Sequence, residues 1–224
     1  MLQRLVAGSA SQKTRIHDEL SNRVSLSRLI RNGPPAIVTG LLRLIFGYRV
    51  TRPWISYDAQ SEIRAFLSPT SRVLEYGSGM STLWLAKYAQ IVCSVEDHEI
   101  WYANVQRILA AESIYNVEYR FSSNERDYTA AFPEFEEQGF DFILVDGSHR
   151  ESCVRHAINI IRAGGIIYLD NSDKGAGETT GNIPNARTSL LEFAAARGAT
   201  VKKFTDFAPT QFFVEQGILV KLPS

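Results

Sequence analysis

From Ser71 onward, short apolar runs alternate with amphipathic stretches, and this alternation limits the available folds more than any other property of the chain. Runs at 72–76, 91–96, 117–121, 140–145 and 165–169 read as strands, with helical patterns at 81–89, 98–112 and 151–162 between them. Strands that are apolar on both faces must be covered on both, so parallel pairing through right-handed helical crossovers is expected. The last two runs, 200–204 and 212–222, are joined by only a short turn region, which a parallel pair cannot use, and are expected to be antiparallel. The predicted fold class is doubly wound α/β: a Rossmann-like seven-stranded sheet with an antiparallel last strand and N-terminal helices.

Before Pro53 the texture differs. The formal net charge of the chain is zero, but residues 1–52 carry +7 and residues 53–224 carry −7. Ile16, Leu20 and Val24, then Leu26, Leu29 and Ile30, predict a helical stripe that Gly33-Pro34-Pro35 stops, followed by helices over 36–46 and 57–67. The expected division is a basic helical N-terminal extension over 1–52 and a second domain over 53–224. Two readings of the basic segment stand side by side: contact with an anionic membrane surface or acidic substrate, and a helical cap packed on an acidic domain. The longest apolar run, 36–46, contains Arg43 and falls short of the roughly 20 residues that span a bilayer. Cys93 and Cys153 lie in segments of regular structure rather than in a disulfide framework, and the first residues lack the apolar core of a signal peptide. A cytoplasmic protein, at most peripheral to a membrane, is expected.

The first strand runs into VLEYGSGMST, with Gly77 and Gly79 in the turn and Ser81 or Thr82 opening the next helix. Such a turn lets backbone N–H groups approach an anionic group closely, and it also serves as a plain strand-to-helix connection. It lacks the third glycine of the dinucleotide fingerprint and the Lys-Ser/Thr pair of a phosphate loop. Glu96 ends the second strand, where an acidic side chain accepts hydrogen bonds from both ribose hydroxyls of a nucleoside bound across the switch point. Asp97 either shares that role or caps the helix after it. Trp101 either flanks the base or packs in the core.

The runs VLEYGSGMSTLWLA and VCSVEDHEIWY together resemble the first two motifs of class I S-adenosylmethionine-dependent methyltransferases, a resemblance that extends over 72–222. It implies S-adenosylmethionine as cofactor, with the glycine turn facing its methionine part and Glu96 on its ribose. The implied cofactor-binding set is Glu75, Gly77, Gly79, Ser81, Thr82, Glu96 and Asp97, with Ser122-Ser123-Asn124 placed beside the adenine.

A second constellation lies in DFILVDGSHR and GGIIYLDNSD. Asp146 follows the fourth strand and Asp170-Asn171 the fifth; the two strands are neighbours in this topology, so three oxygen-bearing side chains meet at the carboxyl edge of the sheet, where ligands bind. Two carboxylates and an amide oxygen form a hard-oxygen set suited to Mg²⁺, and the pattern is similar to the metal ligands of catechol and caffeoyl-coenzyme A O-methyltransferases. The plain alternative is a helix cap and an Asx turn. His149 resembles the histidine of a VDG-x-H group of small-molecule methyltransferases and is, with Asp146, the candidate catalytic pair. The activity implied is O-methylation of a small molecule or glycan precursor, with divalent-metal assistance. A nicotinamide-dependent oxidoreductase and a non-catalytic cofactor-binding adapter are the competing classes. No nucleic-acid partner is expected, because the second domain shows no basic, aromatic-rich face. The glycine-rich segment 171–187 suits a mobile lid, and Trp54 and Tyr57 suit either a pocket wall or pins for the N-terminal helices.

Overall fold

The computed structural model describes residues 13–224; the first twelve residues of the basic segment lie outside them. Two helices, α1 (Leu26–Phe46) and α2 (Tyr57–Phe66), lead into β1 (Arg72–Tyr76), α3 (Met80–Ala86), β2 (Ile91–Glu96), α4 (Glu99–Ala111) and β3 (Val117–Phe121). There follow α5 (Glu125–Thr129), α6 (Pro133–Glu136), β4 (Phe140–Val145), α7 (Arg150–Ile160), β5 (Ile161–Leu169), α8 (Asn182–Ala196), β6 (Thr200–Asp206) and β7 (Glu215–Lys221). The seven strands form one sheet in the order β3-β2-β1-β4-β5-β7-β6. β1 to β5 pair in parallel and β7 runs antiparallel to both neighbours, as the strand spacing requires. Alternate residues of β1 and β4 feed opposite cores: Leu74, Tyr76, Ile143 and Val145 pack beneath α7 and α8, while Val73, Phe142 and Leu144 pack beneath α2 and α3. Cys93 and Cys153 are buried and free.

Three expectations need correction. Residues 13–24 form no helix; they make a turn closed by a bridge between His17 and Arg23. The reason is Asp18, which is buried and accepts from Asn22 N (2.9 Å), Thr205 Oγ1 (2.8 Å) and Gln216 Nε2 (3.0 Å), tying the turn to the β6-β7 edge. Gly33-Pro34-Pro35 does not stop α1, which runs through it despite the roughly 3 kcal/mol a helix-interior proline costs. Tertiary contacts offset that cost: Asn32 Nδ2 donates to Asp206 Oδ2 at 2.7 Å, and Gly33 and Gly40 admit the rings of Phe207 and Phe212 against the helix. The segment after Asn171 is anchored rather than lid-like in its first half. Ser172 N donates to Gln216 O (2.7 Å), Asp173 accepts from Glu19 N and Gln216 N, and α8, which the sequence pattern did not reveal, begins at Asn182.

Candidate active site

The glycine turn sits at the carboxyl edge of the sheet where β1 meets β4. Gly77 has φ +88°, and a Cβ there would lie 2.5 Å from Gly147 Cα and 2.6 Å from Gly147 N. The two glycines therefore let the exits of β1 and β4 approach more closely than side chains permit. A Cβ on Gly147 would also overlap the hydroxyl of Tyr128, which is buried and has no hydrogen-bond partner. Nothing in the spacing of the polar 122–139 segment marks Tyr128 as part of this site.

Beneath the turn, Glu75 is fully buried. Its Oε2 accepts from Thr82 Oγ1 (2.5 Å) and Ser94 Oγ (2.6 Å), while Thr82 Oγ1 accepts from Gly79 N (3.0 Å). Glu75 and Thr82 thus brace the turn from below. Burial pushes Glu75 up to about 7, against the pull of bonds from Ser81, Ser94 and Thr82. A carboxyl raised in this way contributes stability that is complete below the ordinary carboxylate range and lost as pH rises through about 7. Glu75→Gln keeps the shape of the protonated form. It is expected to remove this pH dependence and to stabilise the fold at about pH 8 by on the order of 1–3 kcal/mol, read from thermal melts across pH.

Glu96 carries the ribose expectation, and the structure surrounds it with donors. Oε2 accepts from Ser78 N (3.0 Å) and Ser78 Oγ (2.7 Å); Oε1 accepts from Asp97 N (3.2 Å) and His98 N (3.0 Å). Ser78 Oγ also meets Tyr119 Oη at 2.7 Å. A rotating hydroxyl is the one exchangeable member of this set. Asp97 does not cap α4, because His98 does, accepting from Trp101 N. Trp101 packs one side against the Leu83, Val105 and Leu109 cluster and donates from Nε1 to Ser78 O at 2.9 Å. It lines a cavity of about 210 Å³ with Arg49, Arg52, Trp54, residues 78–81 and Asp146. Residues on both sides of the expected division at 52/53 thus share one cavity. Asn124 of the loop expected beside the adenine caps α5, its side chain accepting from Asp127 N.

Strand pairing brings Asp146 and Asp170 to adjacent strand ends, Val145 being paired with Leu169. Their surroundings are already cationic. Arg150, unmarked by the sequence pattern, donates from Nη2 to Asp146 Oδ1 (3.0 Å) and Asp146 O (2.9 Å), and from Nη1 to Asp170 O. Asn171 uses both ends of its amide: Nδ2 donates to Glu215 Oε2 (2.8 Å), and Oδ1 accepts from Lys174 Nζ (2.6 Å). Glu215 is in turn ion-paired with Lys13. Burial pushes the carboxyl of Asp146 up, and the charges of Arg150 and Lys174 pull it back; Asp170 is held well above its ordinary range by burial and by repulsion from Asp146 and Glu215. His149 occupies the left-handed region (φ 52°) at the start of α7 and faces Glu125 Oε2, 3.5 Å from Nδ1, and the ring of Tyr128. It does not line the cavity that Asp146 shares with the glycine turn.

Residues 74–172, which span the glycine turn, Glu96, Asp146 and Asp170-Asn171, match a family model described as a methyltransferase domain. Residues 74–172 are an S-adenosylmethionine-dependent methyltransferase domain. Curated proteins contain no sequence match to it. Among solved structures, the methyltransferase is similar to the O-methyltransferase TomG from Streptomyces achromogenes, solved in complex with SAM (TM-score 0.59, 16% identity, covering 85% of this chain and 90% of that one). It is similar also to an O-methyltransferase from Bacillus cereus in complex with SAH (TM-score 0.56, 17% identity, 88% and 87%) and to a rRNA methylase from Streptococcus thermophilus (TM-score 0.56, 12% identity, 75% and 96%). At these identities the likeness is one of fold.

The residues of the methyltransferase fit the cofactor. Ser78, Gly79, Met80 and Ser81 of the glycine turn line a cavity with Trp101 and Asp146, the acceptor carboxylate of Glu96 lies against the same turn, and the tight Gly77-Gly147 contact fixes its position. Of the oxygens expected to ligate Mg²⁺, Asp146 Oδ1 already accepts from Arg150 and Asn171 Oδ1 from Lys174, two donors that a metal ion would have to displace.

Proposed function

We propose that the methyltransferase O-methylates a small molecule or glycan precursor, with Asp146 as the group that receives the acceptor's proton. The observation that carries this reading is the shared cavity: Asp146, 29% exposed at its side chain, faces the same space as Ser78, Gly79 and Met80 of the glycine turn. S-adenosylmethionine, when bound, supplies an electrophilic methyl group on a sulfonium, so the protein's task is alignment and removal of a proton. Gly77 and Gly147 admit close approach, Glu96 orients a ribose, Ser81 and Thr82 hold the helix that follows the turn, and the raised carboxylate of Asp146 takes the hydroxyl proton. Arg150 keeps Asp146 in place. The resemblance to O-methyltransferase structures supports an oxygen acceptor.

No step of this reading passes through a metal: Arg150 is the cation paired with Asp146, and Lys174 donates to the amide oxygen of Asn171. Release of S-adenosylhomocysteine with a panel of hydroxylated small molecules is therefore expected to continue in excess chelator. Loss of turnover in chelator, restored by Mg²⁺, overturns the metal-free reading. Tight NADH binding with no response to S-adenosylmethionine overturns the methyltransferase reading itself.

The reading includes a peripheral contact with an anionic membrane. α1 exposes Ile30, Ile37, Leu41, Leu44, Ile45 and Phe46 on its outer side, Leu44 and Phe46 by 70% and 73%, and Arg43 and Arg49 flank its C-terminal end. Such a face lies in a headgroup layer without crossing it, and among the described residues no helix is long and apolar enough to cross. Sedimentation with anionic vesicles is expected to fall several-fold on Leu44→Glu with Phe46→Glu, and to weaken as salt rises. Equal sedimentation with neutral vesicles, or a concentration-dependent dimer that the same substitutions dissolve, sinks this contact.

A further inference from the structure

We propose that the methyl acceptor carries an anionic group, a phosphate or a carboxylate, held by Arg49 and Arg52 in the cavity they share with the glycine turn and Asp146. The proposal rests on the methyl-transfer reading of that cavity and adds the class of molecule that enters it.

The first observation is an excess of positive charge. Arg28, Arg31, Arg120, Arg150, Arg155 and Arg162 each pair with a carboxylate. Arg49 and Arg52 pair with none among the described residues, and residues 1–12 contain no Asp or Glu that could reach them. Arg43 stands in the same group, again without a carboxylate; burial first, and then the charge of Arg43, lowers the pKa of Arg49. Like charges gathered beside a cavity are disfavoured until an anion arrives between them.

The second observation is how Arg49 is held. Its Cζ lies 4.6 Å from the ring centroid of Trp101 and 5.3 Å from that of Trp54, and Arg43 lies 4.4 Å from the same Trp54 ring. Trp101 is itself pinned by its bond to Ser78 O. Stacking engages the faces of a guanidinium and leaves its in-plane N–H donors free, and those donors match two oxygens of a carboxylate or phosphate. Trp54 Nε1, buried and without an acceptor, adds a third kind of donor on the same wall.

The third observation is placement. Arg52 also lines a larger depression of about 710 Å³ whose wall includes Tyr57, Trp84, Tyr88 and Phe204. An anion on Arg52 therefore sits where the two spaces meet, with room for the bulk of the acceptor on the aromatic side and its hydroxyl toward Asp146.

The competing assignment is that these arginines hold the carboxylate of the cofactor's own methionine. Calorimetry separates the two. Wild-type protein, Arg49→Gln, Arg52→Gln and Arg49→Lys are titrated with S-adenosylhomocysteine, then, once saturated, with inorganic phosphate and separately with acetate. The expected result is that the wild type binds at least one of these anions and both glutamine variants bind it at least tenfold more weakly. Arg49→Lys, which keeps the charge but not the fork, falls between, and affinity for S-adenosylhomocysteine stays within about twofold throughout. The tighter of the two anions names the acceptor's group. Anion affinity that is absent, or equal in all four proteins, overturns the proposal. So does a tenfold loss of S-adenosylhomocysteine affinity in the glutamine variants with no change for 5′-methylthioadenosine, which lacks the carboxylate. Failure of the wild type to bind S-adenosylhomocysteine sinks the methyl-transfer reading instead, and phosphate and acetate titrations of the free protein then still decide whether the arginines form an anion site.

Discussion

Gly77→Ala is expected to abolish cofactor binding, with at least a hundredfold loss of S-adenosylhomocysteine affinity, and to destabilise the fold by about 2–4 kcal/mol. The backbone at φ +88° is a conformation that side-chain-bearing residues rarely adopt, and the added Cβ would lie 2.5 Å from Gly147 Cα and 3.0 Å from Asp146 C. Those atoms belong to the chain leaving β4 and have no flexible end that can swing aside, so the turn and the Asp146 backbone must separate. Gly147→Ala attacks the same contact from the other side, where the new methyl overlaps the Tyr128 hydroxyl. That hydroxyl makes no hydrogen bond, so Tyr128→Phe sacrifices none. Adding Tyr128→Phe to Gly147→Ala is therefore expected to recover part of the lost stability, while adding it to Gly77→Ala recovers nothing. Thermal melts of the four proteins with calorimetry on each provide the check, and normal cofactor binding by Gly77→Ala would show that the Gly77-Gly147 contact does not shape the site.

Glu96→Ala is expected to weaken S-adenosylhomocysteine binding by ten- to a hundredfold, as about 1.5–3 kcal/mol is lost when a charge-assisted acceptor disappears. The same substitution also unties the turn, since Ser78 N, Asp97 N and His98 N donate to the carboxylate. Ser78→Ala separates the two effects. It removes the Oγ bond at 2.7 Å and frees a lone pair on Glu96 for a ribose hydroxyl while sparing the backbone bond. Binding within a few-fold of wild type, or tighter, is the expected result for Ser78→Ala. Equal losses in both variants would mean that Glu96 acts by bracing the turn and not by receiving the ribose.

The strands and their order were legible because burial on two faces demands unbroken apolar runs, and the parallel crossovers then leave few topologies. The placing of Asp146 and Asp170 at neighbouring strand ends followed from that order alone, as did the antiparallel end of the sheet, forced by a connection too short to cross over. Local rules failed where distant partners outweighed them. α1 passes through two prolines because Asn32 and Asp206, 174 positions apart, bond across the helix and the sheet edge. Residues 13–24 turn back because the buried carboxylate of Asp18 finds its donors on β6 and β7.

The sheet, the glycine turn and the carboxylates that end neighbouring strands could be read along the chain, since each depends on periodicity or chain connectivity. What those carboxylates face depends on contacts made in three dimensions. Lys174 on Asn171, Arg150 on Asp146, four donors on Glu96 and unpaired arginines stacked beside the glycine turn come from segments far apart or from single side-chain rotamers. Pairwise contacts of that kind leave no periodic trace in a chain, because a charge finds its partner by direction and distance in space rather than by separation along the backbone.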